Sequence, residues 1–394
     1  LWCLSALGAV AALVAVIGDV GNRMGGWTLP FSYPGAAFTA RVGAERTVTV
    51  QKTLRELRVF KQAAASDPFA QPQRLFDLID RDVIVVFVES YGRTSFDTPL
   101  YADTHRATLE DAEESLSKLG LSMASTFLTA PTQGGQSWLS HATFANGLRV
   151  DNQISYRAVL NSGRKTLFHL ASDNGFQTAA VMPQIILDWP ESQFMGFDTV
   201  LAAADLGYGG KPFNWITMPD QFTFAAMDRL LRDMPREKPL FVQLATGSSH
   251  APWLPVPDLL AWDALGDGSV FNPVVEASEP PNVVWQDRDR VRTQYRLAVD
   301  YALRTVFAYA ARHATDPPLL LVIGDHQAAG FVALDDRAEV PMHIIGPAGL
   351  VDLLADDQFH PGLVPPETLP ARAMEGLRAH VIRSLSSATI AQER

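Results

Sequence analysis

The sequence predicts an α/β fold in which a mainly parallel sheet is covered by helices on both faces. From residue 81 onward, apolar strand-like runs alternate with helical patterns, and this alternation favours parallel strands joined by crossover helices. The runs at 83–88, 240–245 and 319–324 are almost entirely apolar, as expected for strands that are buried on both faces. These three runs are therefore predicted to form the centre of the sheet.

The hydrophobic pattern also predicts the remaining elements. Further strand-like runs lie at 121–128, 178–182 and 342–345, and helical patterns lie at 106–119, from Ser137, and at 220–233, 291–312 and 367–385. Residues 266–282 are rich in Pro, Gly, Ser and acidic residues, which predicts an inserted loop. No internal repeat is visible in the sequence.

The chain is predicted to have four regions. Residues 1–17 carry no charge and approach the roughly 20 apolar residues that cross a bilayer, so residues 1–18 are predicted to be a transmembrane helix, the last of several. A signal peptide is the alternative, but no basic region precedes the apolar run. Residues 19–80 are predicted to be a linker with an amphipathic helix at 53–65, residues 81–348 a catalytic domain, and residues 349–394 a C-terminal helical extension.

Composition excludes several classes of function. The 394 residues carry a net charge of −11 and have a pI near 5.3, which argues against nucleic acid as a partner because polyanions bind clustered Lys and Arg. The single cysteine, Cys3, excludes an intramolecular disulfide and a cysteine-rich metal site. The sequence gives no indication of the oligomeric state.

Polar side chains follow the three predicted central strands. Glu89 follows the first strand, Asp325 and His326 follow the strand at 319–324, and His250 follows the strand at 240–245 after a short turn. In open α/β sheets, ligands bind outside the carboxyl ends of the strands. We therefore expect these side chains to lie at one edge of the sheet.

A glycine-rich loop leads into the helical pattern that begins at Ser137. Gly134 and Gly135 permit a tight backbone, Ser137 is a good N-cap, and Gly147 is placed to end the helix. A helix N-terminus has free N–H groups and a positive dipole end, which favour phosphate or sulfate. Capping alone is the alternative role for Ser137, but the acidic and imidazole groups at the strand ends favour a nucleophile.

Activation of a serine hydroxyl points to a metal ion. A metal can lower the pKa of bound water from about 15.7 to about 7, or roughly 12 kcal/mol, whereas a general base contributes about 3 to 5 kcal/mol. Glu89, Asp325, His326 and the Ser137 oxygen form a mixed oxygen and nitrogen set for one divalent ion. Such a set suits Mn²⁺, Zn²⁺ or Mg²⁺, and the residue types do not choose among them.

Six segments, in order, resemble the sulfatase-like branch of the alkaline phosphatase superfamily. The chain is most similar there to membrane-anchored transferases of the lipoteichoic acid synthase and phosphoethanolamine transferase type. The segments are Phe-Val-Glu-Ser at 87–90, the loop before Ser137, Thr-Gly-Ser-Ser-His-Ala-Pro-Trp at 246–253, Asp-Tyr-Ala-Leu at 300–303, Gly-Asp-His at 324–326 and Val-Pro-Met-His-Ile-Ile-Gly-Pro at 340–347. The resemblance spans residues 81–349 and implies an alkaline phosphatase-like sheet.

The resemblance also implies roles for individual residues. The four predicted ligands match the family's metal site, and Ser137 matches its nucleophilic Thr or Ser. His250 matches a histidine that meets the phosphate or the leaving group of the substrate. Gln184, Trp189 and Trp253 are further candidates for substrate binding, although packing is the alternative for Trp253.

Three departures from the family pattern refine these expectations. Sulfatases need a Pro and then an Arg after the nucleophile for formylglycine formation, and neither follows Ser137, so sulfate ester hydrolysis is disfavoured. The first strand ends in Glu89 alone rather than in an adjacent Asp pair, which supports a single ion. Residues 182–191 contain no basic residue where lipoteichoic acid synthases carry His, Trp and Arg, so the head group or acceptor is expected to differ.

Together these features predict a metal-dependent phosphotransferase that acts on a phosphodiester. It is expected to form a phospho-Ser137 intermediate and to move a phospholipid head group to a glycan or lipid acceptor. The N-terminal helix is predicted to anchor the chain in the inner membrane, with the catalytic domain in the periplasm. Alternatives are a phosphodiesterase, a phosphatase or a sulfatase-like hydrolase of the same superfamily, a binding module without activity, and a metal-independent serine esterase. The esterase lacks its Gly-x-Ser-x-Gly elbow because Leu139 occupies the second glycine position.

Overall fold

The computed structural model describes residues 2–23, 38–71 and 73–387. The chain divides into two compact units, Leu1–Ala63 and Ala64–Arg394. Helix α1 (Trp2–Arg23) lies in the first unit, and helix α2 (Phe38–Ala65) contains the amphipathic helix predicted at 53–65. Residues 24–37 of the predicted linker lie outside the described residues.

The predicted transmembrane helix at residues 1–18 is not confirmed. Among the residues that the structure describes, none of the helices combines the length and the apolar character needed to cross a bilayer.

The second unit is built around one large sheet with the order β4-β3-β5-β1-β6-β7-β2-β8, in which β9 also pairs with β2. The pairs β1/β5, β1/β6, β3/β5, β3/β4 and β2/β9 are parallel, whereas β7 runs antiparallel to both neighbours and β8 antiparallel to β2. The strands are β1 (Val83–Val88), β2 (Ser122–Thr129), β3 (Gln177–Met182), β4 (Thr199–Ala202), β5 (Leu240–Ala245), β6 (Leu319–Gly324), β7 (Glu339–Gly346), β8 (His360–Pro361) and β9 (Ala371–Ala373).

Helices cover both faces of this sheet, as the alternating pattern predicted. They are α3 (Thr94–Asp97), α4 (Pro99–Lys118), α5 (Ser137–Asn146), α6 (Gln153–Leu160), α7 (Leu167–Asp173), α8 (Asp220–Met227), α9 (Asn272–Ala277), α10 (Pro281–Val284), α11 (Arg288–Arg312), α12 (Gly330–Ala333), α13 (Ala348–Leu354) and α14 (Leu377–Ser384). Helices α4, α8 and α11 contribute to the core on one face, and α5, α7, α13 and α14 contribute to the core on the other.

Strand β1 shows why an uninterrupted apolar run is needed at the centre. Ile84, Val86 and Val88 belong to one core, and the alternate residues Val83, Val85 and Phe87 belong to the other. Because successive side chains of a strand point to opposite faces, a strand covered on both sides must be apolar at every position.

Several elements differ in extent from the sequence-based predictions. Helix α4 begins at Pro99 rather than 106, and the predicted loop at 266–282 contains the short helices α9 and α10. Residues 349–394 are not wholly helical, because β8 and β9 lie in this region and pair with β2. The last helix covers only Leu377–Ser384, and the helix predicted from 367 is replaced at its start by β9.

Candidate active site

The carboxyl ends of β1 and β6 bring two acidic groups together. These neighbouring strands pair in parallel up to Val88 and Gly324, so Glu89 and Asp325 follow the last pair side by side. Ligand atoms of Glu89, Asp325 and His326 all lie within 4.8 Å of one another, and the three side chains are buried. The sheet thus places residues that are more than two hundred positions apart in one cluster.

The Ser137 hydroxyl lies against this cluster. Ser137 Oγ donates to Glu89 Oε2 at 2.9 Å and is 3.3 Å from His326 Nε2. His326 Nε2 is 3.3 Å from Glu89 Oε1 and 3.8 Å from Asp325 Oδ1. The structure therefore groups all four residues that the sequence predicts as ligands.

Local hydrogen bonds fix the orientation of the donors. Asp325 Oδ1 accepts from the backbone N–H of Ser90 at 2.8 Å and of His326 at 2.6 Å. Ser90 Oγ donates to Glu89 Oε1 at 2.8 Å. His326 Nδ1 lies 3.0 Å from the Gln327 carbonyl oxygen, which can only accept, so Nδ1 carries a proton and Nε2 faces the cluster.

Ser137 occupies a different helix position from the one expected. It was predicted to cap α5, but the cap residue is Gln136, whose φ of 66° and ψ of 42° are left-handed, and Ser137 is the first helical residue. Ser137 Oγ is therefore bonded to Glu89 and not to the free N–H groups of its own helix. A non-glycine residue in this conformation is uncommon and is typical of functional turns.

The cluster contains two buried carboxylates and less positive charge than is needed to neutralise both. Burial and the nearby charge of Glu89 raise the pKa of Asp325. Burial opposes ionisation of Glu89, but the charge of His326 outweighs it and lowers the pKa of Glu89. Burial also opposes the charged form of His326, yet Asp325 and Glu89 raise its pKa to about 10. In the absence of a cation, protons bind to this cluster, and a bound cation would displace them.

The residues present fit one divalent ion. Two carboxylates, an imidazole Nε2 and a hydroxyl oxygen form a compact mixed set, and the second imidazole nitrogen is held by a carbonyl, as is usual for metal-binding histidines. The charge of the two carboxylates is not offset by any Lys or Arg within ion-pair distance among the described residues.

His250 lies on the loop that follows β5 and lines the same cavity as Ser137. Its Nδ1 is 2.5 Å from the Ala251 carbonyl oxygen, so this nitrogen carries a proton and Nε2 remains available. Asp220, fully buried, holds the loop from behind: its Oδ1 accepts from the N–H groups of Gly247 at 2.7 Å and Ser248 at 2.9 Å. Burial raises the pKa of Asp220 to about 6.

A cavity of about 480 Å³ opens in front of Ser137. Of the residues predicted to bind substrate, Gln184, Trp189 and His250 line it. Trp253 does not: it is buried, stacks on Trp285 with ring centroids 5.6 Å apart, and contributes to the core. The structure thus places Trp253 in the core rather than on the wall of this cavity, because the turn after His250 directs it inward.

Several residues that support the cluster were not assigned from sequence. The Glu89 N–H donates to Thr246 Oγ1 at 3.2 Å, and Ser249 Oγ donates to the Glu89 carbonyl oxygen at 2.6 Å. The sequence places these small hydroxyl residues directly after β5, and β5 is a strand next to β1, so this pattern could have indicated their role. The role of Asp220 was not visible in the sequence, because Asp220 accepts from a loop that lies 27 residues further along the chain.

Comparisons with known proteins identify the family and the fold of the chain. The model of the sulfatase family matches residues 81–347, and no curated protein sequence matches the chain. The lipoteichoic acid synthase LtaP from Listeria monocytogenes is similar in structure, with a TM-score of 0.51 and 13% identity over 85% of this chain and 78% of LtaP. The Streptococcus pyogenes phosphoglycerol transferase GacH, solved with sn-glycerol-1-phosphate, gives a TM-score of 0.51 and 13% identity over 85% of this chain and 82% of GacH. At these identities the structural likeness shows the fold.

Proposed function

The chain belongs to the sulfatase family and is a sulfatase-like enzyme of the alkaline phosphatase superfamily, and on this premise we propose that it is a metal-dependent phosphotransferase. Its substrate is a phosphodiester, and its intermediate is a phosphorylated Ser137. The observation that carries the proposal is the position of Ser137 Oγ, 2.9 Å from Glu89 and 3.3 Å from His326 at a helix N-terminus.

In the first step, Ser137 Oγ, which would have released its proton to solvent when the ion binds, attacks the phosphorus, and the bond from phosphorus to the leaving alkoxide breaks. Glu89, Asp325, His326 and Ser137 would hold the ion, which would lower the pKa of the serine hydroxyl and offset charge on the phosphoryl oxygens. The free N–H groups of the first turn of α5 face the same negative charge. His250, when charged, donates the Nε2 proton to the leaving oxygen.

In the second step, an acceptor hydroxyl attacks the phosphorus of phospho-Ser137. The bond from phosphorus to Ser137 Oγ breaks, the acceptor's proton passes to Nε2 of His250, which is neutral after the first step, and the Ser137 oxygen is left as the alkoxide with which the cycle began. Water as the acceptor would give a phosphodiesterase or phosphatase, which differs in nothing else. We propose a phospholipid head group as the transferred group and a glycan or lipid as the acceptor, on the basis of the sequence resemblance to membrane-anchored transferases. That resemblance also supports a periplasmic catalytic domain.

A metal-independent serine esterase fits the site less well. The imidazole nearest to Ser137 Oγ is that of His326, but its Nδ1 faces the Gln327 carbonyl oxygen rather than a carboxylate. A catalytic triad needs an acidic group there to hold the charged imidazole. Two carboxylates instead lie on the Nε2 side, where a cation is required.

The proposal is tested by trapping the intermediate. Metal-loaded protein is mixed with a p-nitrophenyl phosphodiester, quenched in acid and analysed by intact mass and peptide mapping. We expect the phosphoryl adduct on Ser137, and we expect Ser137→Ala and chelated protein to give none. Ser140→Ala, one turn further along the same helix, is the matched control and should retain the adduct. An adduct on Ser137→Ala protein, or activity that survives complete metal removal, would overturn the assignment.

A further inference from the structure

The turn that leads into His250 is tied to the main chain of Glu89. Thr246 Oγ1 accepts from the Glu89 N–H at 3.2 Å, and Ser249 Oγ donates to the Glu89 carbonyl oxygen at 2.6 Å. The N–H of His250 closes the turn by donating to the Gly247 carbonyl oxygen at 2.9 Å. The position of the imidazole relative to the nucleophile therefore depends on how firmly this turn is held.

Asp220 holds the same turn without lining the cavity. Its Oδ1 accepts from the N–H groups of Gly247 and Ser248, and its own N–H donates to Ser248 Oγ at 2.9 Å. A carboxylate accepts hydrogen bonds more strongly than a neutral group does, and Asp220 is fully buried. Three hydrogen bonds from one buried residue thus fix two adjacent residues of the turn.

The turn also packs against Gln184, which does line the cavity. A Cβ on Gly247 would lie 1.9 Å from Gln184 Nε2, so the absence of a side chain at Gly247 allows the amide to rest against the turn. The Gly247 backbone is therefore held by a carboxylate and packed against an amide, which leaves it little room to shift.

We propose that Asp220 is a positioning residue for proton transfer to the leaving group: it fixes the backbone of Gly247 and Ser248 and so holds His250 where Nε2 can protonate the leaving oxygen. The bond from Nε2 to the proton breaks and a bond from the leaving oxygen to the proton forms, as the bond from phosphorus to that oxygen breaks. This inference rests on the proposed function, in which His250 donates this proton. Asp220 should then matter most for esters whose leaving anion is strongly basic.

The test uses methyl aryl phosphodiesters whose leaving group is p-nitrophenol or p-methoxyphenol. Metal-loaded protein is mixed with each ester in a single turnover, and intact mass measures the rate at which Ser137 is labelled. The p-nitrophenolate anion leaves readily without a proton, whereas the more basic p-methoxyphenolate gains more from one. In His250→Gln protein we expect the rate to fall about a hundredfold with the p-methoxyphenyl ester and less than about fivefold with the p-nitrophenyl ester.

Asp220→Asn should show the same selectivity on a smaller scale. The rate should fall at least about tenfold with the p-methoxyphenyl ester and less than about threefold with the p-nitrophenyl ester, because the imidazole is misplaced rather than removed. Metal content should stay unchanged. In the double variant the loss should exceed that of His250→Gln alone by less than about threefold, since both substitutions affect the same step.

Two further variants keep the test independent of folding. Ser248→Ala removes only the bond from the Asp220 N–H, so it should slow the p-methoxyphenyl ester selectively by about threefold even if Asp220→Asn does not fold. Asp228→Asn is the matched control, because Asp228 is also buried but contacts Tyr309 and His313 rather than the turn. It should lower the free energy of unfolding and leave the ratio of the two rates within about twofold of wild type.

The outcomes separate the two proposals. Equal losses with the two esters, no loss, additive losses in the double variant, or loss of the ion from Asp220→Asn protein would overturn the role of Asp220 while leaving phospho-Ser137 in place. A His250→Gln protein without selectivity would remove the proton donor on which the inference rests. If neither ester labels Ser137 in wild-type protein, the proposed function fails and this inference falls with it. A selective and non-additive loss supports both.

Discussion

Strand β1 has a buried carboxylate at each end, and the two are surrounded in opposite ways. Asp82 precedes the strand and accepts from Arg236 Nη1 at 2.7 Å, from Arg232 Nε at 3.0 Å and from the Leu240 N–H at 2.9 Å. Glu89 follows the strand and faces a second carboxylate, that of Asp325, with His326 as the charged partner. Both side chains are at most 10% exposed.

The difference lies in where the positive charge comes from. At Asp82 the chain provides the guanidinium of Arg236 and that of Arg232, which also lies 3.7 Å from Asp228, so the charge is satisfied internally. At Glu89 it provides one imidazole for two carboxylates, and the remaining charge must be met by protons or by a cation from solution. Burial of an acidic side chain is therefore not in itself a sign of chemistry, whereas burial without enough positive charge is.

The largest effect is expected when Glu89, at the carboxyl end of β1, is replaced. Glu89→Gln should bind less than about a tenth of the divalent ion held by wild-type protein, because one ligand and one negative charge are lost. The rate of Ser137 phosphorylation should fall at least about a thousandfold, since the ion is asked to supply several kcal/mol and each 1.36 kcal/mol is tenfold. Elemental analysis and quench-flow mass spectrometry measure the two quantities. Full metal content in the variant would contradict the ligand assignment.

The next largest effect is expected when Asp82, at the amino end of β1, is replaced. Asp82→Asn leaves Arg236 without its carboxylate and Arg232 with Asp228 alone, at 3.7 Å, and loss of one partner from a buried pair typically costs about 3 to 5 kcal/mol. Because the Arg236 side chain is 24% exposed, we expect the lower end of that range, about 3 kcal/mol, in urea unfolding. Metal content of the folded protein should not change.

Asp80→Asn is the matched control for this prediction. The Asp80 side chain is 94% exposed, so its ion pair with Arg81 contributes little. The free energy of unfolding of the Asp80→Asn protein should stay within about 0.5 kcal/mol of that of wild type. Equal destabilisation by the two substitutions would show that the buried network at Asp82 is not the source of the effect.

The sequence predicts the centre of the sheet well because burial on both faces leaves a direct record. The runs at β1 and β6 are apolar without interruption and the run at β5 is interrupted only by Gln243, and the polar residues after these runs emerge at one edge. The grouping of Glu89, Ser137, Asp325 and His326 follows from that edge. Their roles as ligands and nucleophile remain predictions that the experiments above address.

Other features left no such record. Strand β8 has only two residues and therefore shows no hydrophobic periodicity. It forms by pairing with β2. The loop before α5 is held by the Gly134 N–H, which donates to the Gln327 carbonyl oxygen at 2.7 Å, and the left-handed Gln136 in this loop caps the helix one residue before the predicted Ser137. Trp253 lies three residues after His250 in sequence, but the turn at that point directs it into the core. In each case a contact distant in sequence decides the outcome.

The smallest expected effect concerns a buried group of the opposite kind, a base with no acid beside it. His343 in β7 is fully buried, with Nε2 3.0 Å from Tyr91 Oη and Nδ1 2.7 Å from Ser125 Oγ. Ser125 Oγ donates to the Gly362 carbonyl oxygen, so His343 Nδ1 donates to Ser125 and Nε2 accepts from Tyr91. The neutral imidazole is fully bonded, and burial lowers the pKa of His343 to about 3.

This lowered pKa makes the fold sensitive to mild acid. The stabilisation is fully present above the unfolded pKa of about 6.5 and is lost as the pH falls towards 3, because only the unfolded chain takes up the proton. Between pH 6.5 and 5 the loss is about 1.6 kcal/mol, because the slope reaches 1.36 kcal/mol per unit only well below pH 6.5. Urea unfolding of chelated protein at several pH values should show a slope about 1.4 kcal/mol per pH unit smaller in His343→Gln than in wild type. Parallel slopes would mean that His343 is charged in the folded state, and the rule drawn from the two ends of β1 would then not extend to buried bases.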